Sequence, residues 1–534
     1  MWLYCRDVLS PLQTAALALA ALVALPACSD SDPTVTPCAP APTPGDRLFV
    51  NGADELGVDV QHHLQTDFCD LPDTVGGTGV CLFDHDGDGD LDMYFADRAP
   101  EPNRLLRNDG GSFTDISSES GADLTTDSTG CIAFDYDGDE DLDLYVTNVG
   151  PDVLLENDGG AFRDVTAGAG IEADGFSNAA TAGDIDADGD LDLFVARVVD
   201  LASCPEDACL YPPLACPVNR RNLLFINEGG TFEEVATERG IDDEAPTLVT
   251  LMFDFEGDGD VDIYVGNDMG TVFDDRLYLN DGTGNFSEAA ADYDVDAPGT
   301  CTMGVDAGDF DRDGHTDMVI TDFEDRPVRL FRCFDPDRPC SNEVAPDGKD
   351  AVKWGVGFVD LDNDVDLDLF VANGEVRFWE PERNFLYFND GGGSFIEHIA
   401  SGDAALTELY VSRSTAFGDI DDDGDVDIVV ANAGERVQVL LNQAAAGHSL
   451  HVSLDSTAAG ARVEVTPENG SPLTEPVVVG GSFASSNDHR LHFGLGDACR
   501  ADVSVTYVDG ETKTVTGVES GTEAAPHTVV EIRR

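Results

Sequence analysis

The residues best suited to chemistry are carboxylates in a recurring spacing. A nine-residue pattern with acids at positions 1, 3, 5 and 9 occurs seven times, five copies carrying Gly at position 6. The first four copies are Asp84, Asp86, Asp88, Asp90 and Asp92; Asp135, Asp137, Asp139, Asp141 and Asp143; Asp184, Asp186, Asp188, Asp190 and Asp192; and Asp254, Glu256, Asp258, Asp260 and Asp262. The last three are Asp309, Asp311, Asp313, His315 and Asp317; Asp360, Asp362, Asp364, Asp366 and Asp368; and Asp419, Asp421, Asp423, Asp425 and Asp427. These loops hold 36 of the 106 acidic side chains. Four to six carboxylates in one turn repel strongly unless a cation sits among them. Hard oxygen ligands at alternating positions, a backbone carbonyl at position 7 and a Gly for the sharp turn describe a Ca²⁺ site. Magnesium fits worse, because it tolerates irregular protein cages poorly. The expectation is up to seven calcium sites of unequal strength. Glu140 and Val365 replace the Gly at position 6, where the turn wants positive φ, so the sites beginning at Asp135 and Asp360 are the weaker ones.

An EF-hand loop begins in the same way but needs a Glu at position 12 and flanking helices. Position 12 is Phe95, Val146, Val195, Val265, Ile320, Val371 and Val430, every one apolar. That excludes the EF-hand and points to strands instead.

The elements that must position the loops follow from the repeat. Successive loops start 51, 49, 70, 55, 51 and 59 residues apart, a period that holds four short strands and their turns, or one propeller blade. Each loop is followed by an apolar run too short for a core helix, as in 91–96 and 142–146, which reads as an inner strand buried on both faces. A second signature, Leu-Leu-x-Asn-Asp-Gly-Gly-x-Phe, begins at Leu105, Leu154, Leu224, Leu277 and Leu386 in close variants. Its centre is a hairpin turn. The fold class expected is all-β: a seven-bladed β-propeller over 47–443 and a small sandwich-like β domain over 447–534. After Asp427 the last blade lacks an outer strand, and Arg47 to Val50 lacks a partner. The two are expected to pair and close the ring.

These repeats resemble the FG-GAP/VCBS calcium-loop repeats of integrin-α-like propellers. Gly460-Ala461-Arg462-Val463, Gly480-Gly481-Ser482-Phe483, His492-Phe493-Gly494-Leu495-Gly496 and Tyr507-Val508-Asp509-Gly510 resemble the ASPIC/UnbV domain of the cartilage acidic protein-like family. The resemblance implies extracellular calcium binding and adhesion or ligand binding.

Composition limits the partners. The formal net charge is -78, with 28 basic residues, which excludes a nucleic-acid binder working through a basic surface and electrostatic adhesion to anionic lipid. Residues 1–27 read as a signal peptide ending in Leu25-Pro26-Ala27-Cys28, which resembles a bacterial lipobox. Cys28 is then the lipidated residue, the membrane is reached only through that anchor, and 28–46 form a Pro/Thr-rich tether. Ordinary secretion is the alternative. Eleven cysteines remain after Cys5 and Cys28, so at least one is unpaired. Local disulfides are expected in the inserts holding Cys204, Cys209 and Cys216 and holding Cys333 and Cys340, whereas Cys81 and Cys131 read as buried free thiols. His62-His63, His489 and His492 read as turn or sheet-surface residues. No catalytic motif is found. The leading reading is an exported propeller binding a protein or glycan, with 200–222 and 323–350 as specificity loops. The alternative is a secreted calcium-dependent polysaccharide lyase or hydrolase.

Overall fold

The computed structural model describes residues 48–534 apart from 64–77, 200–220, 242, 271, 324–325, 335–337, 347–350, 377–378, 399–402, 444–446 and 521–527. The expected signal peptide, Cys28, the expected tether and the insert with Cys204, Cys209 and Cys216 lie outside the described residues.

The short apolar runs pair antiparallel because each is too short to bury itself alone and is bounded by a turn that reverses the chain. In the first repeat the order is Val80–Phe83, Asp92–Phe95, Arg104–Asn108 and Phe113–Asp115. The other repeats follow the same plan, giving seven four-stranded units. The second and third units are further joined where Asp174 to Phe176 pair with Val149 to Pro151. One reading from sequence is corrected here: the run after each acidic loop is the second strand, and the innermost strand precedes the loop. Innermost strands touch in cyclic order, from Val80–Phe83 through Ser128–Phe134, Asp174–Gly183, Thr247–Phe253, Thr302–Gly308, Lys353–Val359 and Ser412–Gly418 back to the first. The seventh unit is completed by the N-terminal segment, with Phe49, Val50 and Asn51 opposite Asn442, Leu441 and Leu440. This pairing removes an edge that would otherwise stand open.

The core lies largely between neighbouring units. Phe83, Tyr94 and Leu105 of the first pack with Ala133, Leu144 and Leu155 of the second. A disulfide joins Cys81 to Cys131 at the same interface, correcting the reading of two free thiols. The physical reason is the repeat taken one step out of register: Cys81 lies three residues before Asp84 and Cys131 four before Asp135, so on alternating strands their side chains point to opposite faces and meet between the units. Cys333 and Cys340 form the expected local disulfide, and Cys301 is a buried free thiol.

Residues from 448 onward form two sheets around a core of Leu450, Val452, Val463, Val465, Phe493 and Val503. One sheet pairs Leu491–Gly496, His448–Leu454 and Val529–Ile532, the last two in parallel. The other orders Leu473–Pro476, Arg462–Pro467, Arg500–Thr506 and Thr512–Glu519.

Between the two sheets of this domain the chain from 477 to 490 runs into the middle of the ring. Ser482 exchanges backbone hydrogen bonds with Val305 at 2.8 and 3.1 Å, and Ser486 does so with Val80 and Leu82 at 3.1 and 3.0 Å. Thr181 Oγ1 donates to the Val479 carbonyl at 2.7 Å, and Ser482 Oγ accepts from the Val356 N–H at 3.1 Å. The ring is lined with small residues where this insert passes. A Cβ on Gly130 would lie 2.8 Å from the Ala484 Cβ. Phe483 is fully buried and meets the edge of Trp354 at 5.1 Å between centroids.

Candidate metal centres

Each acidic loop is a tight turn wrapped around its first carboxylate. Asp84 Oδ1 accepts from the N–H of Gly87 at 2.9 Å and Asp88 at 3.2 Å, and its Oδ2 from Gly89 at 2.8 Å. The same bonds from positions 5 and 6 recur around Asp135, Asp184, Asp254, Asp309, Asp360 and Asp419. The position-5 carboxylate caps the N–H of position 7, as Asp88 does for Asp90 at 3.0 Å. Position 6 has φ of 95° at Gly89, 74° at Glu140 and 79° at Val365. The left-handed turn is therefore kept where Gly is absent, and a β-branched Val there is strained.

Positions 1, 3 and 9 converge. Carboxylate oxygens lie within 4.8 Å of one another in Asp135, Asp137 and Asp143, in Asp184, Asp186 and Asp192, and in Asp309, Asp311 and Asp317. Asp84, Asp86 and Asp88 do the same in the first loop. Ligands 2.3 to 2.6 Å from one Ca²⁺ stand at such separations. The fit has a sharper test in unsatisfied oxygens. Asp186 Oδ1, Glu256 Oε2, Asp362 Oδ1 and Asp421 Oδ1 are buried with no hydrogen-bond partner, and all four sit at position 3. A buried acceptor without a donor is costly, and a hard cation is the partner that a ring of acceptors can share.

Burial acts on the ninth position most strongly. It pushes Asp143 up to about 8 and Asp317 up to about 9. Asp192, Asp262, Asp368 and Asp427 are raised well above the ordinary carboxylate range for the same reason, the neighbouring acids adding to it. A bound dication would reverse this by favouring the ionised form. The first loop differs from the others in carrying His85, whose Nδ1 lies 2.5 Å from Asp92 Oδ2.

Position 7 takes a second role. The side chains of Asp90, Asp141 and Asp190 turn away from the loop and accept the N–H of Gly110, Gly159 and Gly229 at 2.8, 2.8 and 2.6 Å. In these three loops the side chain of position 7 caps the hairpin of its own unit, while Asp366 pairs with Arg312 and Asp425 accepts from Asn363.

Sequence reasoning missed the Asn of the hairpin signature. Asn227 Nδ2 donates to the carbonyl of Tyr136 in the preceding unit at 2.7 Å and to that of Leu191 in its own at 3.1 Å. Its backbone N–H donates to Asp192 Oδ1 at 2.8 Å. Asn157, Asn280, Asn389 and Asn442 repeat the step to His85, Ile185, Phe310 and Leu361, and Asn108 closes the circle onto Ile420. Each acceptor is position 2 of an acidic loop, so the amides tie every loop but one to the next unit. The exception is the fifth unit, where Cys333 stands in place of Asn and keeps only the backbone bond to Asp317. The recurrence of Asn after the apolar pair in six of the seven units was the available signal.

Among the histidines His63 is exposed as expected, and His62 departs from expectation. His62 is fully buried against Phe95 rather than on a surface. His492 bonds His451 at 3.0 Å and the side chain of Asn363 in the sixth loop at 2.6 Å.

Comparison with known proteins agrees with this arrangement. The family model for FG-GAP-like repeats matches residues 84–146, 135–195, 254–320 and 360–430, and the model for ASPIC and UnbV matches 451–525. Cartilage acidic protein 1 of Mus musculus is 30% identical over 272 residues, covering 47% of this chain and 40% of the relative. The Homo sapiens protein is 30% identical over 266 residues, covering 47% and 39%. The chain thus spans about 40% of the length of the curated relatives it matches. Among solved structures, an Agrocybe aegerita lectin described for recognition of non-reducing terminal N-acetylglucosamine covers 70% of this chain and 91% of its own at 14% identity and a TM-score of 0.39. A structure of BBS1N in complex with ARL6DN covers 72% and 97% at 11% identity and a TM-score of 0.41. With its repeats and its C-terminal domain both matched, the chain belongs to the family that joins FG-GAP-like repeats to an ASPIC and UnbV domain, and it is homologous to cartilage acidic protein 1.

Proposed function

We propose that the protein is an exported, calcium-loaded binding module of the adhesion type, whose acidic loops are structural metal sites. The observation that carries the metal assignment is the set of orphaned position-3 oxygens facing converged carboxylates. Asp84, Asp86, Asp88 and Asp92, with the carbonyl of Asp90, would hold the ion in the first loop, and equivalent residues in the others. The ion supplies charge neutralisation and cross-linking of the turn. Export is supported by the disulfides Cys81–Cys131 and Cys333–Cys340, which persist in oxidising compartments. Lipidation of Cys28 belongs to the same proposal, and retention of a Cys28→Ser variant in the membrane fraction would refute it.

The ligand, a protein or a glycan, is assigned to the face away from the metal loops. The C-terminal domain covers much of the loop face, as its bonds to Gly89, Gly314 and Gly424 require. Asp192–Arg197 and Asp317–Asp322 both end on that opposite side, at the entries to the inserts at 200–222 and 323–350, while Cys333 returns to the loop side, its N–H donating to Asp317 Oδ1. The family match favours a binding role of this kind.

The test is thermal unfolding of the full chain with excess chelator, then with Ca²⁺ or Mg²⁺ restored. Extracellular calcium modules bind at roughly 10⁻⁴ to 10⁻³ M, so millimolar calcium adds about 0.4 to 1.4 kcal/mol per site by mass action. The melting temperature should fall sharply in chelator and return with Ca²⁺ alone. An unchanged curve refutes the metal assignment. A glycan array read beside a polysaccharide turnover screen decides the rest: binding without turnover supports the module, and turnover establishes the enzyme instead.

A further inference from the structure

The C-terminal domain does not treat the seven loops alike. Arg490 Nη1 donates to the Gly89 carbonyl in the first loop at 3.2 Å. Arg462 Nη2 donates to the Gly314 carbonyl in the fifth at 3.0 Å, and Ser449 Oγ to the Gly424 carbonyl in the seventh at 2.7 Å. All three acceptors are the position-6 carbonyl. In the sixth loop Asn363 is held instead, its carbonyl accepting the Gly496 N–H at 3.0 Å and its side chain meeting His492. The approach there is close enough to need glycines. A Cβ on Gly447 would lie 1.9 Å from the Asn363 carbonyl oxygen, and one on Gly494 would lie 1.9 Å from Asp360 Oδ2. The second, third and fourth loops make no hydrogen bond to this domain among the described residues. Four loops are therefore hydrogen-bonded to it, whereas the fourth loop meets it only by apolar packing of Val261, to whose Cγ2 a Cβ on Gly460 would lie 2.3 Å.

Resting on the calcium reading above, we infer that metal binding in the first, fifth, sixth and seventh loops and seating of residues 447–534, with the 477–490 insert in the ring, are one linked equilibrium. The second, third and fourth loops bind calcium independently of it. The reason is geometric. The position-6 carbonyl sits at the sharpest point of the turn, and its direction is set only while the loop's carboxylates are held together. A bare loop relaxes outward under the repulsion of its like charges and takes the acceptor away from Arg462, Arg490 or Ser449. Linkage runs both ways: whatever calcium adds to seating, seating adds to calcium affinity. At low calcium the domain unseats and the middle of the ring opens, so the insert becomes a calcium-gated stopper for the channel.

The structure supplies its own reporter. Trp354 is fully buried against Phe483 of the insert, so its emission follows insertion. The experiment uses the full chain and measures bound calcium by equilibrium dialysis alongside tryptophan emission. Two classes of site are expected, with the emission change tracking the seated class. In a Ser449→Ala/Arg462→Gln double variant, affinity in the seated class should fall by roughly fivefold or more, the lower end of ordinary coupling. The other class should be unchanged. Calcium retained with an emission that never responds overturns the inference and leaves the metal reading standing, as does a variant that weakens all sites equally. No calcium retained by the wild type overturns both. The wild-type titration alone decides the emission question if the double variant does not fold.

Discussion

Asn227→Ala removes the amide that joins the third unit to the second, and its cost can be worked from the structure. Three hydrogen bonds disappear: the two donated to Tyr136 and Leu191 and the one accepted from the Gly230 N–H at 2.8 Å. Asn227 is fully buried, so water does not reach the carbonyls left behind. A net hydrogen bond is worth about 1 kcal/mol, and an orphaned buried partner costs about 1 to 3 kcal/mol. The loss should total about 3 kcal/mol. Unfolding entropy of about 2.1 cal/mol/K per residue over 534 residues makes 1 kcal/mol correspond to about 1 °C, so the melting temperature should drop by about 3 °C. The shift in a urea midpoint is the more sensitive reading. The control is Asn285→Ala. Asn285 is exposed and its amide bonds only within its own turn, to Asp281 and Thr283, so its loss should stay within about 0.5 kcal/mol. Equal effects at the two positions would refute the reasoning, because the amide would then not be what joins neighbouring units.

Three further outcomes are expected. Cys81→Ala/Cys131→Ala opens a loop of 50 residues, and the chain-entropy relation gives a loss of about 4 kcal/mol, to be read from denaturant midpoints against the wild type under the same calcium. Phe483→Ala empties the largest apolar contact of the insert and should cost about 3 to 5 kcal/mol, with a red shift of tryptophan emission at saturating calcium that a change elsewhere in the C-terminal sheets would not produce. In chelator, stability should fall as pH rises from 7 to 9. Asp143, held up to about 8, and Asp317, held up to about 9, keep protons in the folded chain that the unfolded chain has released above about 4. That contribution is complete at acid pH and is lost through 8 and 9. Burial pushes His62 down from its ordinary value, which works in the opposite sense only below about 6.5. Calcium should flatten the slope, and melting curves at several pH values with and without the ion measure it.

What the sequence disclosed depended on how local the cause was. The acidic loops were legible because their carboxylates, the turn and its Gly lie within nine residues, and carboxylate oxygens of positions 1, 3 and 9 do converge in three of them. Closure by Phe49–Asn51 was legible because an unpaired edge at residue 442 and an unpaired strand at the other end pose one problem with one answer. The order of strands within a unit was misread, since a run buried on both faces looks the same in first or second place. Asn227 and its equivalents were read only as turn residues because their amides act across units. Cys81 and Cys131 carried a usable signal, a separation of 50 residues against a repeat interval of 51, which turns the two side chains toward each other across neighbouring units and outranks the habit of treating a cysteine in an apolar strand as a hydrophobe. The segment 477–490 gave no periodicity. Its small residues are there because the innermost strands come close from several sides, a constraint that exists only once the ring does.

The insert also bears on the order in which the molecule can be made. Synthesis runs from the N-terminus, so Phe49–Asn51 must wait, unpaired, until residue 442 has emerged. The bore they help enclose then stays hollow until residues 477–490 arrive. The keystone is thus among the last pieces delivered. A chain halted at any point before it leaves Val80, Val305 and Trp354 facing an empty centre, with backbone groups that no neighbour satisfies. Completion is built into the architecture as a condition of its stability, so that an unfinished copy differs from a finished one by an open centre in which water must stand in for residues 477–490.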